Sequence, residues 1–174
     1  PIGELHLTNP ISSYGITKLT CEKYLLLNKH YFKNNCIILR PSNIFGFGQK
    51  TNKPQGLVGH ISNAAINNKT LEIWGNGDDK KDYLFLSDFT EGIINVVKNE
   101  LKLKHIIYNI SSGNLYSINY LISEFEKKYQ RKINVVYKPE KIFDVKNIAL
   151  NNQLFSETFN WKNLTGIKDF IEQL

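Results

Sequence analysis

Short runs of β-branched and aromatic residues alternate along this chain with longer stretches of helical spacing, and that alternation leaves few architectures open. Residues 12–33 read as one helix. Cys36–Arg40 is a brief apolar run ended by Pro41, the pattern of a last parallel strand, and Gly46–Gln55 reads as a loop rich in Gly, Lys and Asn. Helical spacing returns over Leu57–Asn68. Leu71–Trp74 reads as a strand followed by a Gly-Asn-Gly-Asp turn, and Tyr83–Leu86 as another strand. Asp88 and Glu91 form a capping-box pattern that opens a helix to about Lys98. Then come a strand at Ile106–Ile110, a helix at Ile118–Lys128 and a strand at Asn134–Tyr137. From about Asn151 the tail holds one or two short helices, Ile167–Leu174 among them. Such an order predicts an α/β or α+β architecture. With 174 residues the chain can bury a real core.

The chemistry-bearing stretch lies near the N-terminus, at Pro10-Ile-Ser-Ser-Tyr14-Gly-Ile-Thr-Lys18. Residues four apart on a helix share a face, with Cβ atoms about 5–6 Å apart. Lys18 can therefore stabilise a phenolate on Tyr14, and a nearby positive charge favours the ionised form. The spacing alone is weak, because 9 Tyr among many lysines produce roughly one such match by chance. A second match, Tyr137 to Lys141, contains Pro139 and follows a β-like run, which argues against a helix there. The first opens a helical pattern, with Ser12 and Ser13 as N-cap candidates and Tyr14, Lys18, Cys21 and Leu25 on one stripe.

Bulk properties exclude several classes. The formal charge of +6 comes with dispersed lysines, few arginines and no basic patch or nucleic-acid module, so no nucleic-acid partner is expected. No apolar run approaches the ~18 residues that span a membrane, and the N-terminus has no signal-peptide pattern. Cys21 and Cys36 form no metal or disulfide motif, which points to reduced thiols and a cytoplasmic setting. His6, His30, His60 and His105 are scattered, and no metal site is expected.

Four blocks in order carry a resemblance. They are Pro10–Glu22, then Ile37-Ile-Leu-Arg-Pro41-Ser42-Asn43-Ile-Phe-Gly46, then Leu71-Glu72-Ile-Trp74-Gly-Asn-Gly77, then Lys81-Asp82-Tyr83-Leu-Phe-Leu-Ser-Asp88. Together they resemble the extended short-chain dehydrogenase/reductase family, the NAD-dependent nucleotide-sugar epimerases and dehydratases, over essentially the whole chain. The implied fold is α/β: the C-terminal part of an NAD(P)-binding Rossmann-type enzyme with its small α/β substrate-binding domain. Residues 1–50 would be a remnant of the Rossmann domain. Residues 51–174 would be mainly the substrate-binding domain, with some segments returning to the first. The family's glycine-rich dinucleotide turn has no counterpart. Gly46/Gly48, Gly75/Gly77 and Gly56/Gly59 are followed at the required spacing by Thr51, Lys80 and Ser62. The N-terminal dinucleotide half is therefore expected to be absent, and the chain to be inactive alone.

The resemblance assigns roles by position. Tyr14 is the acid/base, and Lys18 holds the nicotinamide ribose beside it. Pro41 and Ser42 lie beside the nicotinamide of NAD, with NADP left open. Asn43 bonds the sugar nucleotide or, on the local sequence, makes an Asx-type turn. Leu57 begins a helix whose free N–H groups could take a diphosphate, with Gly56 where some epimerases have asparagine. Glu72 and Trp74 line the nucleobase pocket, although Trp74 reads equally well as core. Lys81 and Lys141 stand where the family often has diphosphate-clamping arginines, and lysine offers a point charge without the bidentate fork. Asp144 contacts the ribose or is a plain surface carboxylate.

The implied reaction is transient oxidation of a sugar carbon, Tyr14 taking the hydroxyl proton. A base of unperturbed pKa about 10 working near pH 7 needs roughly 4 kcal/mol of differential stabilisation, more than one lysine supplies. The implied substrate is a UDP- or other nucleotide-diphosphate sugar, and the implied assembly a homodimer built on the Tyr/Lys helix. A non-catalytic sugar-nucleotide-binding remnant and a reductase of the same family are the alternatives.

Overall fold

The computed structural model describes residues 1–32, 36–51, 56–99, 106–140 and 146–174. Six helices and seven strands lie among them. The helices are α1 (Ser13–Phe32), α2 (Leu57–Asn67), α3 (Leu86–Lys98), α4 (Ile118–Tyr129), α5 (Gln153–Phe159) and α6 (Ile167–Glu172). The strands are β1 (Ile38–Pro41), β2 (Asn43–Phe45), β3 (Leu71–Trp74), β4 (Lys80–Phe85), β5 (Ile107–Ile110), β6 (Leu115–Ser117) and β7 (Val135–Lys138). Three parallel pairings organise them: β1 with β5, β2 with β4, and β3 with β7. β6 adds to β4 antiparallel. The α/β expectation holds.

Strand β4 separates two cores. Its residues Asp82 to Phe85 are all buried, and successive side chains point to opposite faces. Tyr83 and Phe85 join Phe45, Ile61, Ile73, Leu121, Phe125 and Phe170 in one cluster. Leu84 joins Tyr108, Ile110, Phe155, Phe159 and Trp161 in the other. Large buried side chains of this kind stabilise by about 1.5–3 kcal/mol each.

α1 begins where the sequence places it. The Gly15 N–H donates to Ser12 Oγ at 3.1 Å, the N-cap bond that satisfies an otherwise orphaned amide. Its half-buried stripe is Gly15, Leu19, Glu22, Leu26 and Lys29, while Tyr14, Lys18, Cys21 and Leu25 face out. The helix is anchored through charge. Arg40 on β1 grips Glu22 with both arms of its guanidinium, Nε to Oε1 at 2.9 Å and Nη2 to Oε2 at 2.6 Å. A third donor reaches the Glu4 carbonyl at 3.2 Å. The two side chains are only 22% and 16% exposed, so solvent screens this pair less than an ordinary surface pair. Arg40→Met should therefore lower the unfolding free energy by about 2 kcal/mol, read as a lower urea midpoint at unchanged m.

Glu126 stands in the last turn of α4. Burial pushes its carboxyl up, but the bonds from Lys132 Nζ at 2.6 Å and the Ile133 N–H at 2.9 Å outweigh that and hold it below the usual range. Because Lys132 is 90% exposed, the amide bond is the larger contributor to stability. A lowered folded pKa stabilises above the unfolded value and is lost as pH falls through the folded one. The stability gap between the unmodified chain and Glu126→Gln should thus be full above about pH 5 and close in stronger acid. Chemical denaturation at stepped pH measures it.

Candidate functional site

The chain passes from the β1–β5 sheet to the β2–β4 sheet through Ser42 alone. Pro41 ends β1 opposite Ile110, and the Ser42 N–H donates to the Ile110 carbonyl at 3.0 Å. Asn43 opens β2 opposite Tyr83. These residues leave the carboxyl end of a parallel strand, where open α/β sheets bind ligands. Ser42 Oγ donates to Asp82 Oδ1 at 2.5 Å, and Asn43 Nδ2 to the Asp82 carbonyl at 2.8 Å. Asn43 is exposed, and its amide is held by a strand 39 positions on in addition to any local turn.

Tyr14 and Lys18 share a face as read. Lys18 Nζ lies 5.5 Å from the Tyr14 ring centroid, and Tyr14 is 63% exposed. Both stand on the open side of α1, where an incoming hydroxyl group can reach the phenol.

The α2 N-terminus differs from the expectation of free amides. Gly56 takes a left-handed φ of 96° at the N-cap, without a side-chain cap bond. Gln49 instead lies across the first turn, its Oε1 accepting from the Gly59 N–H at 2.9 Å. A Cβ on Gly56 would come within 2.8 Å of Gln49 Cδ, so the glycine makes room for this side chain. The amide set read as open to a diphosphate therefore has one member already engaged, near Leu57. The spacing Gly56-x-x-Gly59 was the available signal, and only the fold shows that Gln49 fills it.

Glu72 and Trp74 project from the same face of β3. Trp74 is 45% exposed, so the core alternative for it fails. Glu72 pairs with Lys138 at 3.4 Å. Beyond the carboxyl ends of β3 and β7 opens a cleft of about 770 Å³, lined by Asn76, Asp78, Tyr137, Lys138, Lys146 and Asn147 among others. Its polar wall is braced: Asn119 Nδ2 donates to the Asn76 carbonyl and Asp78 Oδ1, and Tyr137 donates to Asn119 Oδ1. Lys81 is half-buried on β4 and bridges Ile148. Lys141 and Asp144 lie outside the described residues. The second Tyr-x-x-x-Lys match is not helical at its start, since Tyr137 sits in β7.

The model of the NAD dependent epimerase/dehydratase family matches residues 1–111. The chain belongs to that family. Similar members include UDP-glucose 4-epimerase of Mycolicibacterium smegmatis, 24% identical over 98% of this chain and 54% of its own length. A second is dTDP-4-dehydro-6-deoxyglucose reductase of Escherichia coli, 26% identical over 100% of this chain and 54% of its own length. Among solved structures, the UDP-glucose 4-epimerase of Thermotoga maritima with UDP-glucose superimposes with a TM-score of 0.89 at 23% identity, covering 99% of this chain and 56% of that one. The UDP-glucuronic acid 4-epimerase of Bacillus cereus with UDP-glucuronic acid and NAD gives 0.87 at 22% identity, covering 98% and 54%. The fold is thus that of the family's Rossmann-type epimerases, and the chain spans about half the length of the curated relatives it matches.

Proposed function

We propose that this chain supplies the sugar-nucleotide site and the acid/base of an NAD-dependent nucleotide-sugar epimerase or dehydratase, with Tyr14 as the proton acceptor. The observation that carries this is the Tyr14–Lys18 pair on the open face of α1, together with Pro41–Asn43 leaving the carboxyl end of β1. These residues fit one end of NAD: Lys18 can hold the nicotinamide ribose, and Pro41 and Ser42 can flank the ring. A turn for its pyrophosphate is not found in this sequence, so the fit is to the reactive end only. When bound, NAD supplies a hydride acceptor and a second positive charge. Tyr14 takes the proton from the sugar hydroxyl and later returns it, Lys18 favouring the phenolate throughout. Asn43 orients the sugar. Leu57, Lys81 and Lys141 serve the diphosphate, and Glu72, Trp74 and Asp144 the nucleoside.

The two cores correspond in this reading to a Rossmann remnant over 1–50, joined by returning segments, and a substrate-binding unit over most of 51–174. Ile16, Leu27 and Tyr31 are 54%, 48% and 69% exposed on α1, and they form the contact face of a homodimer in the cytoplasm. The reductase of Escherichia coli among the relatives supports a second reading, reduction of a dTDP-linked keto sugar, which net consumption of NADPH would reveal.

Calorimetric titration of the 174-residue chain separates these ideas. Binding of UDP-glucose with no heat from NAD alone is the expected result. No binding of UDP- or dTDP-sugars at millimolar concentration would overturn the proposal.

A further inference from the structure

One carboxylate stitches together the segments on which the proposed site depends. Asp82 sits in β4 and is 2% exposed. Its Oδ1 accepts from Ser42 Oγ at 2.5 Å and from the Ser112 N–H at 2.9 Å. Its Oδ2 accepts from the Gly113 N–H at 2.8 Å, and its main-chain carbonyl accepts from Asn43 Nδ2 at 2.8 Å. Ser42 directly follows β1, and Ser112–Gly113 closely follow β5. One side chain thus ties the carboxyl ends of two neighbouring parallel strands to a third strand in the next sheet.

We infer that Asp82 is a positioning residue that, by holding Ser42, sets its neighbour Asn43 for the sugar nucleotide, an inference resting on the reading of the site given above. A carboxylate suits this task because it only accepts, through two oxygens with about four lone-pair sites. Asparagine of the same size would turn an N–H₂ toward one of these donors and lose a bond it could not replace. Gly113 holds φ at +79°, a conformation glycine adopts without the Cβ penalty, so its amide can be delivered to Oδ2. Removing an acceptor from such a network leaves donors unpaired around a buried side chain. The slack would fall on Ser42–Asn43 and on Ser112–Gly113, and both segments lie where ligands meet open α/β sheets.

The test is a double-mutant cycle in UDP-glucose affinity, measured calorimetrically on the 174-residue chain. Asp82→Asn is expected to raise the Kd at least tenfold. In the Asn43→Ala background the same change should add less than twofold, because the residue it positions is gone. Losses that multiply in the double variant would overturn the inference, as would an Asp82→Asn affinity within twofold of the unmodified chain. The first result would mean that Asp82 acts on affinity by a route that does not pass through Asn43, and the second that it is a merely structural residue, moving the unfolding midpoint alone. If Asp82→Asn does not fold, Ser42→Ala takes its place in the cycle. It is expected to raise the Kd about threefold alone and to add nothing in the Asn43→Ala background, and unchanged affinity would overturn the inference. Failure of the unmodified chain to bind UDP-glucose would instead overturn the reading of the site, and this inference with it.

Discussion

Tyr14→Phe is expected to lower sugar turnover by about 10²–10⁴-fold in an assembly that gives this chain a dinucleotide-binding half. The Kd for UDP-glucose should stay within about threefold. The substitution removes one hydroxyl from a residue that is 63% exposed, so it leaves no cavity and strands no buried partner. A loss confined to turnover would therefore report proton transfer. The exposure also explains why the isolated chain should be slow. Lys18 Nζ, 5.5 Å from the Tyr14 ring centroid, acts there through bulk water, which screens its charge strongly. The same charge acts more strongly once water is excluded by the rest of a closed site. Turnover by Tyr14→Phe within tenfold of the unmodified enzyme would remove Tyr14 from the role proposed for it.

Asp88→Ala is expected to cost about 3 kcal/mol of stability. Asp88 is 4% exposed and stands in the first turn of α3, yet its carboxylate does not cap that helix. Its Oδ2 accepts from the N–H groups of Leu164 and Thr165 at 3.1 and 2.8 Å. Its own carbonyl takes the Trp161 indole N–H at 2.9 Å. Alanine would leave two amides unpaired beside the second core, each at about 1–3 kcal/mol when buried. Leu164 is 71% exposed, so water recovers part of its share and Thr165 dominates. In urea the midpoint should fall by about 1–2 M. A shift under 0.3 M, as a rough bound, would mean that water satisfies both amides.

Asp88 also shows where sequence reading stops. Asp88-x-x-Glu91 matches a capping box, but the structure starts α3 at Leu86, directly off β4, and the aspartate falls inside the helix. Its partners lie 76 and 77 residues away, beyond any local pattern. Asp82 was hidden similarly: the polar run Lys80-Lys81-Asp82 falls between the Gly-Asn-Gly-Asp turn and the strand expected from Tyr83, whereas it begins β4. A charged residue becomes a buried strand residue only when distant donors meet it. β2 and β6, three residues each, are too short to show a period of two. By contrast, α1 and β3 were legible because each carries its own signal. Ser12 caps α1, and the alternation of Leu71-Glu-Ile-Trp74 matches its buried and exposed faces. The Tyr14–Lys18 pair was legible for the same reason, since one helical turn is enough to bring its two members together.

The three parallel pairings have a kinetic consequence. They join residues 40 to 69 positions apart, from Asn43 with Tyr83 to Ile38 with Ile107. The intervening loops must close before any of those ladders stabilises the chain. Folding should accordingly be slow, in the range of milliseconds to seconds that non-local topologies show. While the chain waits, β-branched segments such as Ile37–Leu39 stay unpaired and able to join another copy's strand edge. Refolding yield should therefore fall as protein concentration rises, even under conditions where the finished molecule is stable.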